Sequence, residues 1–485
     1  MRSMRTRVCM LIPGYHPILG RSESQLNGLL ERIDRDRFAP FVLTRRLPGT
    51  GKAQMAGATP VIRRRSPLSP GLFFLSALAY LWKRRREFDV IHVHSIDSTA
   101  LAGAVIKRLL PGKTLVQRIP RLGPGSSCDR LNRSRSGRRR LRFVLDKADT
   151  IVLPCPYTSG ALAALGIPKS KIADIPDGID TTSYSPPTVE EKRVLKRSFG
   201  IAENAFVAIV VTRLVSRANV DGVLESWKRV GASHPGAVLI VAGGGPEGPR
   251  LARQADAEFE GRSVIFTGTA SEDEIRRLYR TADAYVSYSK SEGTSDAMLE
   301  AMSAGLPVVS LRGSGVDPQV RHAKTGFLFD ADHPMDGADY LMRLAEDRAL
   351  LGVMSATVRD EIVNGYSFER IARCIEGVYV GMPIDRAPET HEPAPATRPA
   401  PALPAVEPPA VVTVGPPVVK PVDPPVVAET ETPVVIPAEP PADAVQTAPP
   451  PVEPTAQEPP APVTPDNRRR HKKRRHKKKR DKAMA

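Results

Sequence analysis

With 485 residues, 48 of them proline, the chain has room for two or three domains, and its 5% aromatic content leaves part of it without the means to build a core. The formal charge of +17 is concentrated: twelve Lys or Arg against one Asp between Arg468 and Lys482 supply +11 of it, so the basic balance does not describe an active site. Four widely spaced cysteines, Cys9, Cys128, Cys155 and Cys374, exclude a metal-ligand spacing and fit the reduced, independent thiols of a cytoplasmic protein.

Residues 7–12 form a buried-strand pattern that ends at Pro13-Gly14, too short a run for a signal sequence. Leu26, Leu29, Leu30 and Ile33 then recur at helical spacing over residues 24–33. Strand, glycine-containing loop and helix in this order open a Rossmann-like domain. Residues 41–44 read as the second strand and 72–82 as an amphipathic helix. The wider apolar segment 68–82 is shorter than a membrane span and is interrupted by Ser69, Pro70 and Gly71. The strand 89–94, DVIHVH, carries alternating histidines that burial and hydrogen bonding explain more simply than catalysis. A helix over 98–110 and a strand over 114–119 follow.

Residues 118–142, RIPRLGPGSSCDRLNRSRSGRRRLR, hold nine arginines. Two readings stand: a solvated helix face with its loop, or a surface for anionic lipid headgroups or a phosphate-linked acceptor. Nucleic acid has little support, because the stretch has no aromatic residue for base stacking. A strand over 148–153, a short helix over 158–165 ended by Gly166, and the turn KIADIPDGID at 171–180 complete the first half.

The second half repeats the alternation. Residues 192–200 lead into a strand at 206–211, the loop TRLVSRA at 212–218, a helix at 220–230, a strand at 237–241 and the loop Gly243-Gly244-Gly245-Pro246. A strand at 264–267 and a helix at 273–280 come next, giving a second Rossmann-like domain. Residues 282–329 then contain a βαβ unit. A strand at 284–287 runs into a polar loop with Glu292 and Gly293. A helix over 297–304, with Met298, Leu299 and Met302 apolar, ends at Gly305 before the strand at 307–310. Open α/β sheets bind ligands at the carboxyl ends of their strands, where Glu292 falls. Glu292 and Glu300, eight residues apart, can face one crevice, and Gly313 and Gly315 in the SLRGSG turn let backbone N–H groups approach an anion.

SEGTSDAMLEAMSAGLPVV, residues 291–309, resembles the signature of the retaining glycosyltransferases of family 4, which have the GT-B fold. The resemblance extends in weaker form over residues 8–382. It implies two Rossmann-like domains facing a cleft, with a nucleotide-sugar donor and no further cofactor. Glu292 would contact the transferred sugar, and Glu300 would hold the ribose hydroxyls. Gly313, Ser314, Gly315 and Val316 would lie near donor sugar and phosphate, Gly244 beside the base. On the acceptor and phosphate side, Gly14 and the family's glycine pair are implicated. Here that pair has become Gly20-Arg21, and the arginine either takes over a phosphate contact or is solvated.

Three further departures stand out. Asp177 replaces an asparagine in the interdomain turn, a mild change because both residues cap and turn well. No histidine follows the strand at 114–119; after His94 the next is His234. The family places an arginine and, five residues later, a lysine on the donor diphosphate. Arg213 matches the arginine, but the lysine position is Ala218, with Arg217 adjacent to compensate. One charge-assisted hydrogen bond contributes about 1.5–3 kcal/mol, so its loss corresponds to about 10- to 100-fold in rate.

The expected organisation is an acceptor-side domain at 1–185, a donor-binding domain at 186–365, a helix at 366–382 returning to the first domain, a disordered Pro/Ala/Val-rich linker at 383–467 and a polybasic tail at 468–485. The tail is a solubilising run, an anchor to an anionic membrane surface, or a polyanion site. No cluster in the sequence resembles a metal cage, so metal-independent transfer to a polysaccharide or lipid-linked glycan is expected, at the inner face of a bacterial membrane. The rival readings are a sugar-nucleotide-binding homologue without turnover and a polyanion-binding scaffold led by the tail.

Overall fold

The computed structural model describes residues 5–16, 20–66, 73–120, 126–154, 162–163, 165–259, 263–289, 296–313 and 319–382. Glu292, Gly293, Ser314, Gly315, Val316, Cys155, most of the helix expected at 158–165 and everything from 383 onward lie outside these residues. The described residues all belong to Met1–Arg398, one of the two units into which the chain divides.

The first sheet is built from β1 (Thr6–Leu11), β2 (Phe38–Arg45), β3 (Ala53–Ala56), β4 (Thr59–Arg64), β5 (Val90–Val93), β6 (Thr114–Arg118), β7 (Thr150–Leu153) and β8 (Ile172–Asp174). Their order is β3-β4-β2-β1-β5-β6-β7-β8, parallel except for the β3–β4 hairpin. Alternation along β1 sends Cys9 and Leu11 into one apolar layer, and Val8 and Met10 into another. Helices α1 (Arg21–Arg32), α2 (Phe73–Lys83), α3 (Ser98–Leu109), α4 (Ser127–Asn132) and α5 (Arg135–Lys147) belong to this half. The layer with Cys9 is filled from α2, α3 and α5 by Leu81, Ala104 and Leu145, and the layer with Met10 from α1 by Leu26 and Leu29.

The second half runs α6 (Val189–Ser198), β9 (Val207–Val211), α7 (Val220–Ser233), β10 (Val238–Ala242), α8 (Gly248–Phe259), β11 (Val264–Gly268), α9 (Glu272–Thr281), β12 (Ala284–Ser287), α10 (Asp296–Ser303), β13 (Val308–Leu311) and β14 (Gly326–Phe329). The sheet is wholly parallel, in the order β11-β10-β9-β12-β13-β14. Helices α11 (Asp336–Glu346), α12 (Arg348–Tyr366) and α13 (Phe368–Tyr379) complete the described chain.

The last helix returns to the first sheet. α13 contributes Ile371, Ala372, Ile375 and Val378 to the same layer as Met10 and Leu29. At its start the Phe368 ring fills the space above two glycines. A Cβ on Gly28 of α1 would come within 2.2 Å of that ring, and one on Gly178 within 2.4 Å. At its end the Tyr379 hydroxyl is 2.7 Å from His92 Nδ1 on β5.

Candidate functional site

Each sheet reverses its strand order once. In the second sheet the chain moves outward from β9 through β10 to β11, then restarts at β12 on the other side of β9. The loops after β9 and β12 therefore diverge and leave a crevice at the carboxyl ends, the usual ligand position in an open parallel sheet. Arg213 lies in the loop after β9. The signature stretch with Glu292 and Glu300 follows β12.

The Arg213 loop is fixed by backbone. Leu214 N–H donates to the Gly244 carbonyl at 3.0 Å, Thr212 N–H to Ala242 at 3.1 Å, and Glu247 N–H back to Leu214 at 3.0 Å. This mutual approach needs glycine. A Cβ on Gly243 would lie 1.9 Å from the Thr212 carbonyl oxygen, and one on Gly245 2.3 Å from that of Leu214. Arg213 projects from this support, exposed and without an ion pair among the described residues. Ser216–Ala218 then forms a single 3-10 turn. Ala218 is only 4% exposed within it, while the neighbouring Arg217 is exposed. The residue that stands where the family has a lysine is thus packed inward, and the adjacent cation is the one facing solvent.

Glu300 lies on the second turn of α10. Tyr279 Oη donates to the Ala297 carbonyl at 2.9 Å and lies 3.2 Å from Glu300 Oε2. Burial, reinforced by the charge of Asp296 one turn earlier, pushes the Glu300 carboxyl up to about 7. Burial also raises Asp296 itself, with Arg21 acting in the opposite direction. Asp296 was not among the residues expected from the sequence. Its i,i+4 relation to Glu300 is the signal that marks it.

Arg21 joins the halves. Gly20 is the N-cap of α1, its N–H bonded to Glu23 Oε2 at 3.1 Å, and Gly14 lies against the same carboxylate. The helix therefore begins at Arg21, three residues earlier than the sequence pattern indicates. The guanidinium bonds Asp177 Oδ2 through Nε at 3.1 Å and Nη2 at 2.9 Å, and its Nε is 3.2 Å from Asp296 Oδ1. Arg118 Nη2 takes the other oxygen of Asp177. Burial works to raise the Asp177 carboxyl, but Arg118 and Arg21 together hold it below the ordinary aspartate range.

His92 and His94 are fully buried on β5 and just beyond it. Burial and the nearby Arg118 lower His92 to about 3, and burial, with His92 and Arg118 adding to it, holds His94 well below its ordinary value. Both are neutral and built into the packing, as the alternation in DVIHVH suggests. Gly313 is exposed, with φ at +75° that favours glycine. Among the described residues no group of three His, Cys, Asp or Glu is placed to hold a metal ion.

Residues 191–360 match the family described as Glycosyl transferases group 1, and residues 22–183 match Glycosyltransferase Family 4. Two curated relatives are a sulfoquinovosyl transferase of Arabidopsis thaliana and a GDP-mannose-dependent alpha-(1-6)-phosphatidylinositol monomannoside mannosyltransferase of Mycobacterium tuberculosis. The first is 31% identical over 46% of this chain and 42% of its own length, the second 27% over 48% and 62%. The chain thus spans about half the length of these relatives. Among solved structures, HepE of Anabaena in complex with UDP superposes with a TM-score of 0.63. Its identity is 19%, covering 78% of this chain and all of that one, a likeness of fold.

Proposed function

Because the chain belongs to glycosyltransferase family 4 and has the GT-B arrangement of two Rossmann-like sheets, we propose that it transfers a sugar from a nucleotide-sugar donor to a glycan or lipid-linked acceptor, with retention at the anomeric carbon. The observation that carries this reading is the convergence of Arg213 and the Glu300 helix on the β9/β12 reversal. Arg213, with Arg217, neutralises the charge that grows on the leaving diphosphate as the glycosidic bond to phosphate breaks. Fixed cations placed where charge develops are a large term in such reactions. The backbone of Gly313, Ser314, Gly315 and Val316 adds N–H donors, Glu300 accepts from the ribose hydroxyls, Gly244 borders the base, and Glu292 contacts the transferred sugar.

UDP is the nucleotide held by HepE, whereas the mycobacterial relative is described as GDP-mannose-dependent, so both classes of donor are to be tested. Several relatives act on lipids, among them a diphosphoundecaprenol-linked sugar and a monoglucosyldiacylglycerol product. A lipid-linked acceptor places the enzyme at the inner face of a membrane. The polybasic tail and the exposed Arg135, Arg138 and Arg139 of α5 would hold it at anionic lipid. No described helix is long and apolar enough to cross a membrane.

The inward-packed Ala218 favours one other reading, a homologue that binds sugar nucleotide without turnover. A screen of nucleotide sugars, reading free nucleotide with and without membrane extract, separates the two. Release from one donor, abolished in Glu292→Ala, is the outcome expected of the transferase. Binding without release under all conditions would establish the alternative.

A further inference from the structure

The first sheet has its own strand-order reversal, between β1 and β5, and a cavity of about 460 Å³ opens there. Its walls come from the carboxyl ends of the strands and from the arginine-rich helices: Arg45 from the end of β2, Asp97 beyond β5, Arg130 and Leu131 from α4, Arg140 from α5 and Phe73 from the start of α2. A volume of this size suits a small polar ligand with part of its aglycone.

The charge around the cavity is unbalanced. Arg45, Arg130 and Arg140 line the cavity beside one carboxylate, Asp97, which is already committed, and Arg130 Nη2 donates to the Ser127 hydroxyl at 2.9 Å. Asp97 Oδ1 accepts from Thr99 N–H at 2.8 Å, from the Thr99 hydroxyl at 2.8 Å and from the Ser95 hydroxyl at 3.0 Å, capping α3. Arg140 Nε is shielded from solvent and has no hydrogen-bond partner among the described residues. Neither the Arg45 nor the Arg140 guanidinium has a carboxylate partner among the described residues, although carboxylates neutralise Arg133 and Arg142 nearby. Clustered arginines suit a phosphate, because each planar guanidinium offers paired N–H donors to two of its oxygens. The exposed arginines of α5 extend the positive field beyond the cavity and draw anions toward it.

We propose that this cavity binds the phosphate of a phosphate-bearing acceptor, with Arg45, Arg130 and Arg140 on the oxyanion and Phe73 and Leu131 against the apolar part. The inference rests on the transferase reading and deepens it. The donor diphosphate has its own cations, Arg213 and Arg217, on the other sheet, so a second anion site on the first sheet belongs to the second substrate.

The test measures equilibrium binding of glucose 1-phosphate and of methyl glucoside to the full chain at fixed ionic strength. The same comparison is made in neutral vesicles between a polyprenyl-phosphate-linked sugar and an uncharged glycosyl diacylglycerol. The phosphate-bearing member of each pair is expected to bind at least about 10-fold more tightly, the increment of one charge-assisted contact. Whichever phosphate-bearing probe binds more tightly identifies the source as soluble or lipid-linked. Arg140→Gln and Arg45→Ala are expected to weaken phosphate-bearing probes by about 10- to 100-fold while leaving neutral probes and donor binding unchanged. Arg140→Lys should restore part of the loss, and circular dichroism identifies any variant that fails to fold, in which case the other decides. Equal affinity for charged and neutral probes, or indifference to both substitutions, overturns the proposal. Donor hydrolysis measured without acceptor tests the transferase reading separately, since its absence leaves the binding comparison fully interpretable.

Discussion

Arg21 and Asp177, 156 residues apart, meet in a doubly hydrogen-bonded ion pair at 2.9 and 3.1 Å. Both are departures from the family pattern, a glycine and an asparagine replaced. Considered one at a time in the sequence, Asp177 is a mild change and Arg21 is either a phosphate contact or a solvated side chain. In the fold they answer each other, and Arg118 completes the charge balance on the far oxygen of Asp177.

A double-mutant cycle tests that relationship. Asp177→Asn strips a carboxylate from two arginines, one of them with a side chain only 7% exposed, and is expected to cost about 3–5 kcal/mol. Arg21→Gly leaves Arg118 paired and should cost less. The double variant, which restores the family pair, is expected to recover about 0.5–3 kcal/mol relative to additivity. Chemical denaturation of the four proteins gives the answer. Additive effects would mean that the two departures arose without energetic connection.

A second buried network underlies the other sheet. Asp283 takes Lys196 Nζ at 3.0 Å, Lys192 Nζ at 2.6 Å and the Val207 N–H at 2.9 Å, tying α6 to the start of β9 and β12. Its carboxyl is held below the ordinary range because the two lysines outweigh the effect of burial. Asp283→Asn should destabilise the protein by about 3–5 kcal/mol, because the buried Lys196 keeps its bond to the Ala205 carbonyl but loses its counter-charge. Lys196→Met in the same background should recover part of this, because an apolar side chain needs no partner. Unfolding midpoints of the two variants decide it.

These networks show which parts of the molecule sequence periodicity reaches. The continuous apolar run VCMLI and the apolar spacing of Met298, Leu299 and Met302 locate β1 and α10, because a parallel strand covered on both faces is apolar throughout and a helix buried on one face repeats its apolar residues every three or four positions. Gly243, Gly244 and Gly245 were legible as a loop, and their close approach to the Arg213 loop explains the glycines. The β3–β4 hairpin was not legible, since β3 is largely exposed and has no buried face to pattern. The start of α1 is not legible in the sequence, because Gly20 caps through its backbone and Glu23 supplies the side chain, so no Ser, Thr or Asp announces the helix. Pairings such as Arg21 with Asp177, or the Phe368 ring over Gly28 and Gly178, depend on tertiary juxtaposition that no local window contains.

Glu300 makes stability and donor binding respond to pH in opposite ways. Its folded-state carboxyl titrates at about 7 against an ordinary value of 4.5. The folded protein therefore retains this proton through a window where the unfolded chain has lost it, and stability falls as pH rises from 4.5 to 7. Above pH 7 the full cost is present, about 3 kcal/mol for a shift of this size. Glu300→Gln removes the titration, so its melting temperature should exceed that of the wild type at pH 8 by more than at pH 5.5. Ribose hydroxyls need the ionised acceptor, so wild-type donor affinity should rise from pH 6 to pH 8, and that of the variant should be low and flat. A parallel pH response in the two proteins would remove Glu300 from the ribose site.

Arg213 and Gly245 separate a chemical contribution from a positioning one. Arg213 is exposed and held only by its loop, so Arg213→Ala should leave the unfolding midpoint within about 0.5 kcal/mol of the wild type. Nucleotide release should fall about 10- to 100-fold for a lost cation on the leaving diphosphate. Gly245→Ala leaves that cation in place, but its Cβ would meet the Leu214 carbonyl oxygen at 2.3 Å in a backbone region that disfavours a side chain, at φ +159°. The cost is expected to be roughly 1–3 kcal/mol of stability, together with a displaced Arg213 and slower release. Arg217→Ala completes the series. If Arg217 substitutes for the lysine missing at Ala218, its loss should approach that of Arg213→Ala in rate while sparing stability. An Arg217→Ala variant with wild-type turnover would leave Arg213 as the cation that carries the diphosphate.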